Sequence, residues 1–99
     1  MIVIAGSVSV RAEKREAAMN AALEMVRATR TEPGCLSYGF YAAIEDPNRI
    51  LVFEEWESEE ALDRHFATEH MKAFSRILPD VLAGPPSIKR YAVASAGPM

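Results

Sequence analysis

The 99-residue sequence has little of several residue types on which common kinds of protein depend. Cys35 is its only cysteine, so no disulfide can form within the chain, and a reducing, cytoplasmic location is the simplest expectation. There are five glycines, and none belongs to a glycine-rich phosphate-binding motif with its lysine. Two histidines and one cysteine provide neither a paired-cysteine site nor a His-Glu-x-x-His motif. We therefore expect no metal centre.

Long apolar runs and clusters of like charge are also missing. No stretch approaches the roughly 18 apolar residues of a membrane-spanning helix. The apolar stretch at 1–10 precedes the first basic residue, Arg11, whereas a signal peptide has its basic residues first. The net charge is −3 and the 11 basic residues are scattered, which argues against nucleic acid or an anionic membrane as a partner. The sequence thus indicates a soluble protein.

What the sequence does contain is a regular succession of strand-like and helix-like segments. A chain of this length forms one domain, which we place over residues 1–95, followed by a C-terminal tail over residues 96–99. Alternating β-branched residues predict strands, and helix formers with apolar residues three and four apart predict helices. The predicted elements are strands at 2–10, 35–43, 49–57 and 87–95 and helices at 12–30 and 59–78.

Capping and turn residues mark the boundaries of these elements. The run Asp46-Pro47-Asn48 is typical of a turn and predicts a hairpin between the second and third strands. Ser58 is a candidate N-cap for the second helix, and Thr68 is a candidate cap for a second piece of it, which predicts a break there. Pro79 is assigned to the loop that continues through Gly84-Pro85-Pro86.

The predicted order β-α-β-β-α-β is that of a ferredoxin-like α+β plait. Both helices then cover the same face of the antiparallel sheet. Alternation in the third strand places Val52 and Trp56 on one face. Leu51 and Phe53 fall on the other face, and burying a side chain the size of Phe stabilises by roughly 1.5–3 kcal/mol. We therefore expect a homodimer through the sheet face, which closes a dimeric α+β barrel.

Glu54 and Trp56 are candidates for a binding site in the cleft between sheet and helices. If Trp56 faces the helices, alternation places Val52 and Glu54 beside it. A Glu54 buried there needs a partner, and His70 or Arg76 could supply one. Trp56 would then offer a flat wall to a planar ligand. In the opposite register Glu54 is solvated, and Trp56 can equally be an ordinary core side chain, so both interpretations stay open.

The two histidines lie five residues apart on the second helical segment. On a continuous helix, His65 and His70 would be about 140° apart around the axis and would not meet at one metal ion. A break near Thr68 could bring them together. His70 shares a helix face with Phe66 and Phe74 and is expected to point inward. Each histidine is either a buried structural residue or a proton carrier that works near neutral pH.

These residues belong to a longer pattern that resembles a known family. The pattern consists of Glu32-Pro33-Gly34-Cys35, Glu54-Glu55-Trp56-Glu57-Ser58, Leu62, His65, Thr68 and His70-Met71-Lys72-Ala73-Phe74-Ser75. With this spacing the sequence resembles the antibiotic biosynthesis monooxygenase family, and within it the bacterial quinol monooxygenases most strongly. Together with the strand order, the resemblance covers nearly the whole chain.

The resemblance implies a dimeric barrel with one pocket per subunit between sheet and helices. It also implies oxidation of a quinol, an anthrone or a similar small electron-rich aromatic substrate with O₂, without flavin, metal, haem or other cofactor. His70 and His65 are then candidate catalytic residues that take the substrate proton, and Arg76 is the candidate that stabilises the phenolate. The candidate substrate-binding residues are Trp56, Glu54, Val52, Phe40, Leu62, Phe66 and Phe74.

The sequence departs from some branches of that family at individual positions. Val52 stands where the anthrone oxygenases have a strand asparagine, and Phe40 and Leu62 stand where they have tyrosines. These losses favour the histidines as proton carriers. Ser75 and Ser7 stand where haem-degrading relatives have an axial histidine and an asparagine, which argues against haem as a ligand.

Two alternative functions remain open from the sequence. Isomerases of a phosphorylated sugar are similar in fold and in the loop Gly84-Pro85, and Lys89-Arg90 after that loop could hold a phosphate. The chain could instead be a non-catalytic dimeric barrel with a collapsed cleft. A cavity between sheet and helices would argue against this last alternative.

Overall fold

The computed structural model describes residues 1–99 and contains four strands and three α-helices. A short 3₁₀ turn, Ala12–Lys14, leads into the first helix. The elements are β1 (Ile2–Ser9), α1 (Arg15–Thr29), β2 (Cys35–Ala43), β3 (Asp46–Trp56), α2 (Glu59–Phe66), α3 (Glu69–Val81) and β4 (Ser87–Ala92). No helix is both long enough and apolar enough to cross a membrane.

The strands form one antiparallel sheet in the order β2-β3-β1-β4. This order places β1 and β3 at the centre, as expected for the two strands with apolar residues on both faces. The succession β-α-β-β-α-β, with the second helix in two pieces, is the ferredoxin-like α+β plait. The predicted fold class is therefore confirmed.

Two side-chain caps divide the second helical segment. The Oγ of Ser58 accepts a hydrogen bond of 3.2 Å from the backbone N–H of Ala61 at the start of α2. The Oγ1 of Thr68 accepts one of 3.2 Å from Met71 at the start of α3 and donates one of 2.7 Å to the carbonyl of His65. Each cap satisfies an N–H that has no partner within its own helix. The predicted break at Thr68 is thus confirmed.

The hairpin turn between β2 and β3 lies earlier than predicted. Ile44 and Glu45 form the turn, and Asp46-Pro47-Asn48 begins β3 instead of preceding it. Neighbouring segments hold this run in the strand: the N–H of Val10 donates to the carbonyl of Asn48 at 2.8 Å, and Nε of Arg15 donates to the carbonyl of Pro47 at 2.8 Å. The Asp46 carboxylate also accepts a hydrogen bond of 2.9 Å from the N–H of Asn48, a turn-like bond that here does not reverse the chain.

Other boundaries also differ from the predicted ones. Pro79 lies inside α3 and not in the following loop, because the N–H of Leu82 still donates to the carbonyl of Leu78, at 3.0 Å. The last turn is also held by the N–H of Arg11, which donates to the carbonyl of Val81 at 2.8 Å. At the C-terminal end β4 stops at Ala92, three residues before the predicted limit of residue 95.

The two faces of the sheet differ as predicted. On the face covered by the helices, Ile2, Ile50, Val52 and Trp56 are buried. On the outer face four large apolar side chains are between 38% and 57% exposed to solvent: Tyr41, Leu51, Phe53 and Tyr91. The chain therefore presents one apolar sheet face that none of its own helices covers.

Candidate active site

A cavity of about 130 Å³ lies between the inner face of the sheet and α3. Its walls are mostly apolar, and strand residues form one side while α3 forms the other. The lining side chains include Tyr38, Phe40, Val52, Glu54, Phe74 and Ile88. The cleft is therefore open in this chain, which argues against the alternative of a collapsed barrel.

Glu54 is the one carboxylic acid in the wall of this cavity. Alternation in β3 places it on the inner face between Val52 and Trp56, and only 8% of it is exposed. Its Oε1 accepts a hydrogen bond of 2.8 Å from Nε1 of Trp56. Burial, and to a smaller extent the charge of Glu32, raise the pKa of Glu54 to about 6, while the bond from Trp56 opposes that rise. A carboxyl group of this kind can exchange a proton near neutral pH.

Tyr38 is another residue in the wall of the cavity. Its ring packs edge-on against Phe40, with the ring centres 5.5 Å apart. Burial and the charge of Glu54 raise the pKa of the Tyr38 hydroxyl far above its ordinary value. Tyr38 therefore stays a neutral phenol, and its hydroxyl group lies near the side chain of Thr29. Burial also raises the pKa of the Cys35 thiol, which keeps that residue in its unreactive form.

The two histidines meet at a single carboxylate oxygen outside this cavity. Nδ1 of His65 lies 2.8 Å and Nε2 of His70 lies 2.6 Å from Oε2 of Glu32. His65 is buried, and the side chains of Glu32 and His70 are 11% and 29% exposed. The break at Thr68 makes this meeting possible, because on a continuous helix the two histidines would be about 140° apart around the axis.

A row of contacts connects this cluster with the cavity. The rings of Trp56 and His65 are packed together, with their centres 4.8 Å apart and a tilt of 37°. Trp56 donates to Glu54 on one side, and His65 contacts Glu32 on the other. The histidines are thus behind the cavity wall, and Glu54 is the titratable group that faces the cavity itself.

The structure brings together only part of the residues predicted from the sequence to form a site. Phe40, Val52, Glu54 and Phe74 line the cavity. Of the remaining candidates, Trp56 and Leu62 are fully buried in the core beside the cavity. Phe66 is exposed and packs on His65. Arg76 is exposed on α3. Neither residue lines the cavity.

The residues proposed for phosphate binding do not converge. Lys89 and Arg90 are neighbours on β4, so their side chains point to opposite faces of the sheet. Arg90 lies near Glu59, with Nη1 and Oε1 3.8 Å apart. Lys89 lies at the outer face, opposite Ala5 of β1. No phosphate-sized site is formed between them.

Three residues that shape the site are not among the candidate site residues, although Glu32 and Met71 belong to the family pattern. Tyr38 and Met71 line the cavity, and Glu32 joins the histidines. Tyr38 could have been found from its spacing, because it lies two residues before Phe40 on the same strand face. Glu32 opens the family pattern, but no local spacing connects it with its partners, which are 33 and 38 residues away in the sequence.

The fold and the cavity together define an α+β plait domain with a partly open, mostly apolar cavity that suits a small ligand. The chain belongs to the antibiotic biosynthesis monooxygenase family, whose sequence profile matches residues 1–77. This membership confirms the family resemblance and supports a general monooxygenase-like function.

Individual relatives agree with this assignment. The uncharacterized protein sll1783 of Synechocystis is 40% identical over 93 residues, which are 94% of this chain and 63% of that protein, so the chain spans less than two thirds of it. YcnE of Bacillus subtilis, named as a candidate monooxygenase, is 29% identical over 90 residues, which are 91% of this chain and 95% of YcnE. Among solved structures, a conserved protein from Methanosarcina mazei superposes with a TM-score of 0.87 at 31% identity, covering 91% of this chain and 89% of that one.

Proposed function

We propose that this chain is a cofactor-independent monooxygenase that oxidises a quinol with O₂, and that Glu54 takes the substrate proton. The observation that carries the proposal is a carboxyl group with a raised pKa in the wall of an apolar, aromatic cavity. Family membership supports the reaction type, and the identity of the substrate is inferred from the chemistry of the cavity. In this proposal Glu54 replaces the histidines, which lie behind the wall.

The reaction needs little from the protein beyond a base and a dry pocket. Ionised Glu54 removes the proton of a quinol hydroxyl, and the resulting phenolate is electron-rich enough to pass one electron to O₂. The radical pair then combines to a ring peroxide, which loses water. One oxygen atom stays on the ring, the other leaves as water, and the substrate supplies all four electrons. A hydroquinone is thus converted to a hydroxyquinone with no other reductant.

The residues around Glu54 suit this sequence of steps. Tyr38 remains a neutral residue in the cavity wall and does not compete with Glu54 for the substrate proton. Phe40 and Phe74 offer aromatic surface to a flat ring, and their own rings are 5.9 Å apart. The apolar lining excludes water, which raises the affinity of the Glu54 carboxylate for a proton.

The size of the cavity favours a small ring system. A volume of about 130 Å³ is comparable with an apolar cavity of about 150 Å³ that holds benzene. A single-ring quinol therefore fits the cavity as it stands. A three-ring anthrone would require the surrounding side chains to move apart, so we favour the quinol over the anthrone.

The direct test is oxygen consumption with a panel of substituted hydroquinones. We expect the purified chain to accelerate oxygen uptake above autoxidation and to yield a hydroxyquinone with one labelled oxygen from ¹⁸O₂. Glu54→Gln should lower the accelerated rate by about 100-fold or more, the usual contribution of a general base. Glu55→Gln is the matched control, because Glu55 points to the other face, where it accepts a hydrogen bond of 2.8 Å from Ser37. Equal rates for the two variants would refute the role of Glu54.

We further propose that a second copy of the chain covers the outer face of the sheet. That face carries a shallow concavity of about 390 Å³, whose apolar lining includes Tyr41, Leu51, Phe53 and Tyr91. A two-fold axis between the outer faces of two copies would bury these four side chains against the same side chains of the second copy. This arrangement would close the dimeric barrel expected from the sequence.

A further inference from the structure

Glu32, His65 and His70 bring three metal-binding side chains to one point. The nearest ligand atoms of the three lie within 4.8 Å of one another. Imidazole nitrogen and carboxylate oxygen are the ligands that zinc and similar divalent ions bind most often in proteins, together with thiolate. The three residues come from the turn after α1, from α2 and from the first turn of α3, so that no local metal-binding motif contains all of them.

The distances between the three side chains are hydrogen-bond distances, shorter than those between the ligands of a metal ion. Oε2 of Glu32 is 2.8 Å from Nδ1 of His65 and 2.6 Å from Nε2 of His70. Ligand atoms around a tetrahedral zinc ion with bonds of about 2.0–2.1 Å are about 3.3 Å apart. The carboxylate must therefore retreat by roughly half an ångström, and the two histidine nitrogens, which lie up to 4.8 Å apart, must approach each other by rotation of the partly exposed His70 side chain. The ion would take the place of the two N–H protons, and each neutral ring would carry its proton on the other nitrogen.

The surroundings hold the ligands in place and leave one approach open. His65 is fixed by its packing on Trp56 and by the cap at Thr68. The backbone of Glu32 is fixed in its turn, where its N–H donates to the carbonyl of Thr29 at 3.0 Å. His70 is partly exposed and lines an open groove of about 280 Å³ between α1 and α3. An ion can reach the cluster from this groove, and water can complete its coordination there.

We propose that Glu32, His65 and His70 form a binding site for one divalent transition-metal ion of the zinc class. The site is separate from the cavity, since none of its three ligands lines that cavity. It does not depend on the proposed oxygenation, because its evidence is the geometry of the three ligands. Binding ties the turn after α1 to α2 and α3 and so stabilises the folded chain over the unfolded one.

The chain makes a clean test possible because His65 and His70 are its only histidines. Tag-free, metal-free protein is titrated with Co²⁺, whose visible absorption reports the coordination geometry, and then with Zn²⁺, which should displace the Co²⁺. We expect one ion per chain. At about 100-fold excess over the dissociation constant, Zn²⁺ should raise Tm by roughly 10–20 °C.

Three variants separate the proposed site from adventitious binding. His70→Gln and Glu32→Gln each keep a polar side chain that can form hydrogen bonds but remove one metal ligand. Each variant should weaken binding at least 10-fold. Cys35→Ser removes the only thiol and should leave binding unchanged. Absence of saturable binding to the wild type would overturn the proposal. So would Co²⁺ spectra and Zn²⁺ affinities that are the same in His70→Gln as in the wild type.

Discussion

The indole of Trp56 donates its hydrogen bond to Glu54, two residues earlier on the same face of β3, at 2.8 Å between Nε1 and Oε1. The bond fixes one oxygen of the carboxyl group. The other oxygen makes no protein hydrogen bond and keeps some accessible surface. A tryptophan that contributes nothing to the cavity lining thus orients the one acid that does.

This pair predicts how stability depends on pH. The pKa of Glu54 in the folded chain is about 6, above its ordinary value of 4.5. The folded state therefore holds the proton more tightly than the unfolded state. Protonated Glu54 therefore adds about 2 kcal/mol to the free energy of unfolding below pH 4.5, and this contribution is lost as the pH rises through 6.

Chemical denaturation between pH 4 and 8, at one protein concentration, measures this effect. We expect Glu54→Gln to lack this part of the slope, because its amide does not ionise. Glu55→Gln should retain it. A slope that is the same in Glu54→Gln and in the wild type would show that Glu54 does not titrate as described.

Replacing Trp56 by Phe should shift the pH profile of activity. The variant keeps an aromatic ring against His65 but loses the N–H that stabilises ionised Glu54. Without that bond the pKa of Glu54 rises further above 6, so the half-maximal rate moves to higher pH. The rate of quinol oxidation is measured from pH 5 to 9 after subtraction of autoxidation. An unshifted midpoint, with only a lower maximum, would mean that Trp56 has a packing role alone.

A charge on the outer sheet face should separate the proposed dimer. Phe53 is 41% exposed in the single chain, and Phe53→Asp would place an unpaired carboxylate in the proposed interface. We expect the wild type to sediment as a dimer at micromolar concentration and this variant as a monomer. Leu23→Asp, at a residue 47% exposed on α1, is the matched control and should remain dimeric. A monomeric wild type would contradict the proposed barrel.

Gly34 is predicted to be essential for the geometry of the turn that carries Glu32. Its φ is +84°, and a Cβ placed on it would lie 2.5 Å from the Cβ of Ala61 in α2. Gly34→Ala therefore combines a left-handed backbone with a clash and should cost about 2 kcal/mol or more. Thermal unfolding should show Tm lower by about 10 °C. Gly84→Ala has no atom within 4 Å of the new Cβ and should change Tm by little.

Local chemistry explains why most of the fold was predictable from the sequence. Ser58 and Thr68 act as caps in the structure because their hydroxyl groups satisfy N–H groups that are only three residues away. The inward direction of Val52 and Trp56 follows from alternation along a single strand. The errors at Asp46 and Pro79 arise where residues typical of turns are held inside a strand or a helix by neighbouring segments.

The candidate site was less predictable because its parts are distant in the sequence. The sequence left two directions open for Glu54, and only the sheet register shows it pointing inward beside Trp56. The meeting of Glu32 with both histidines depends on a turn, a helix break and the packing of α2 on the sheet at the same time. No pattern within one element contains that information.

The edge strand β4 forms the least firmly held part of the cavity wall. All six residues of β4 are exposed, the strand pairs only with β1, and Ile88 at its start lines the cavity together with Pro86. We expect the amide hydrogens of β4 to exchange with solvent sooner than those of β1 or β3. A substrate could then enter by transient fraying of one short edge strand, while the core around Trp56 stays closed.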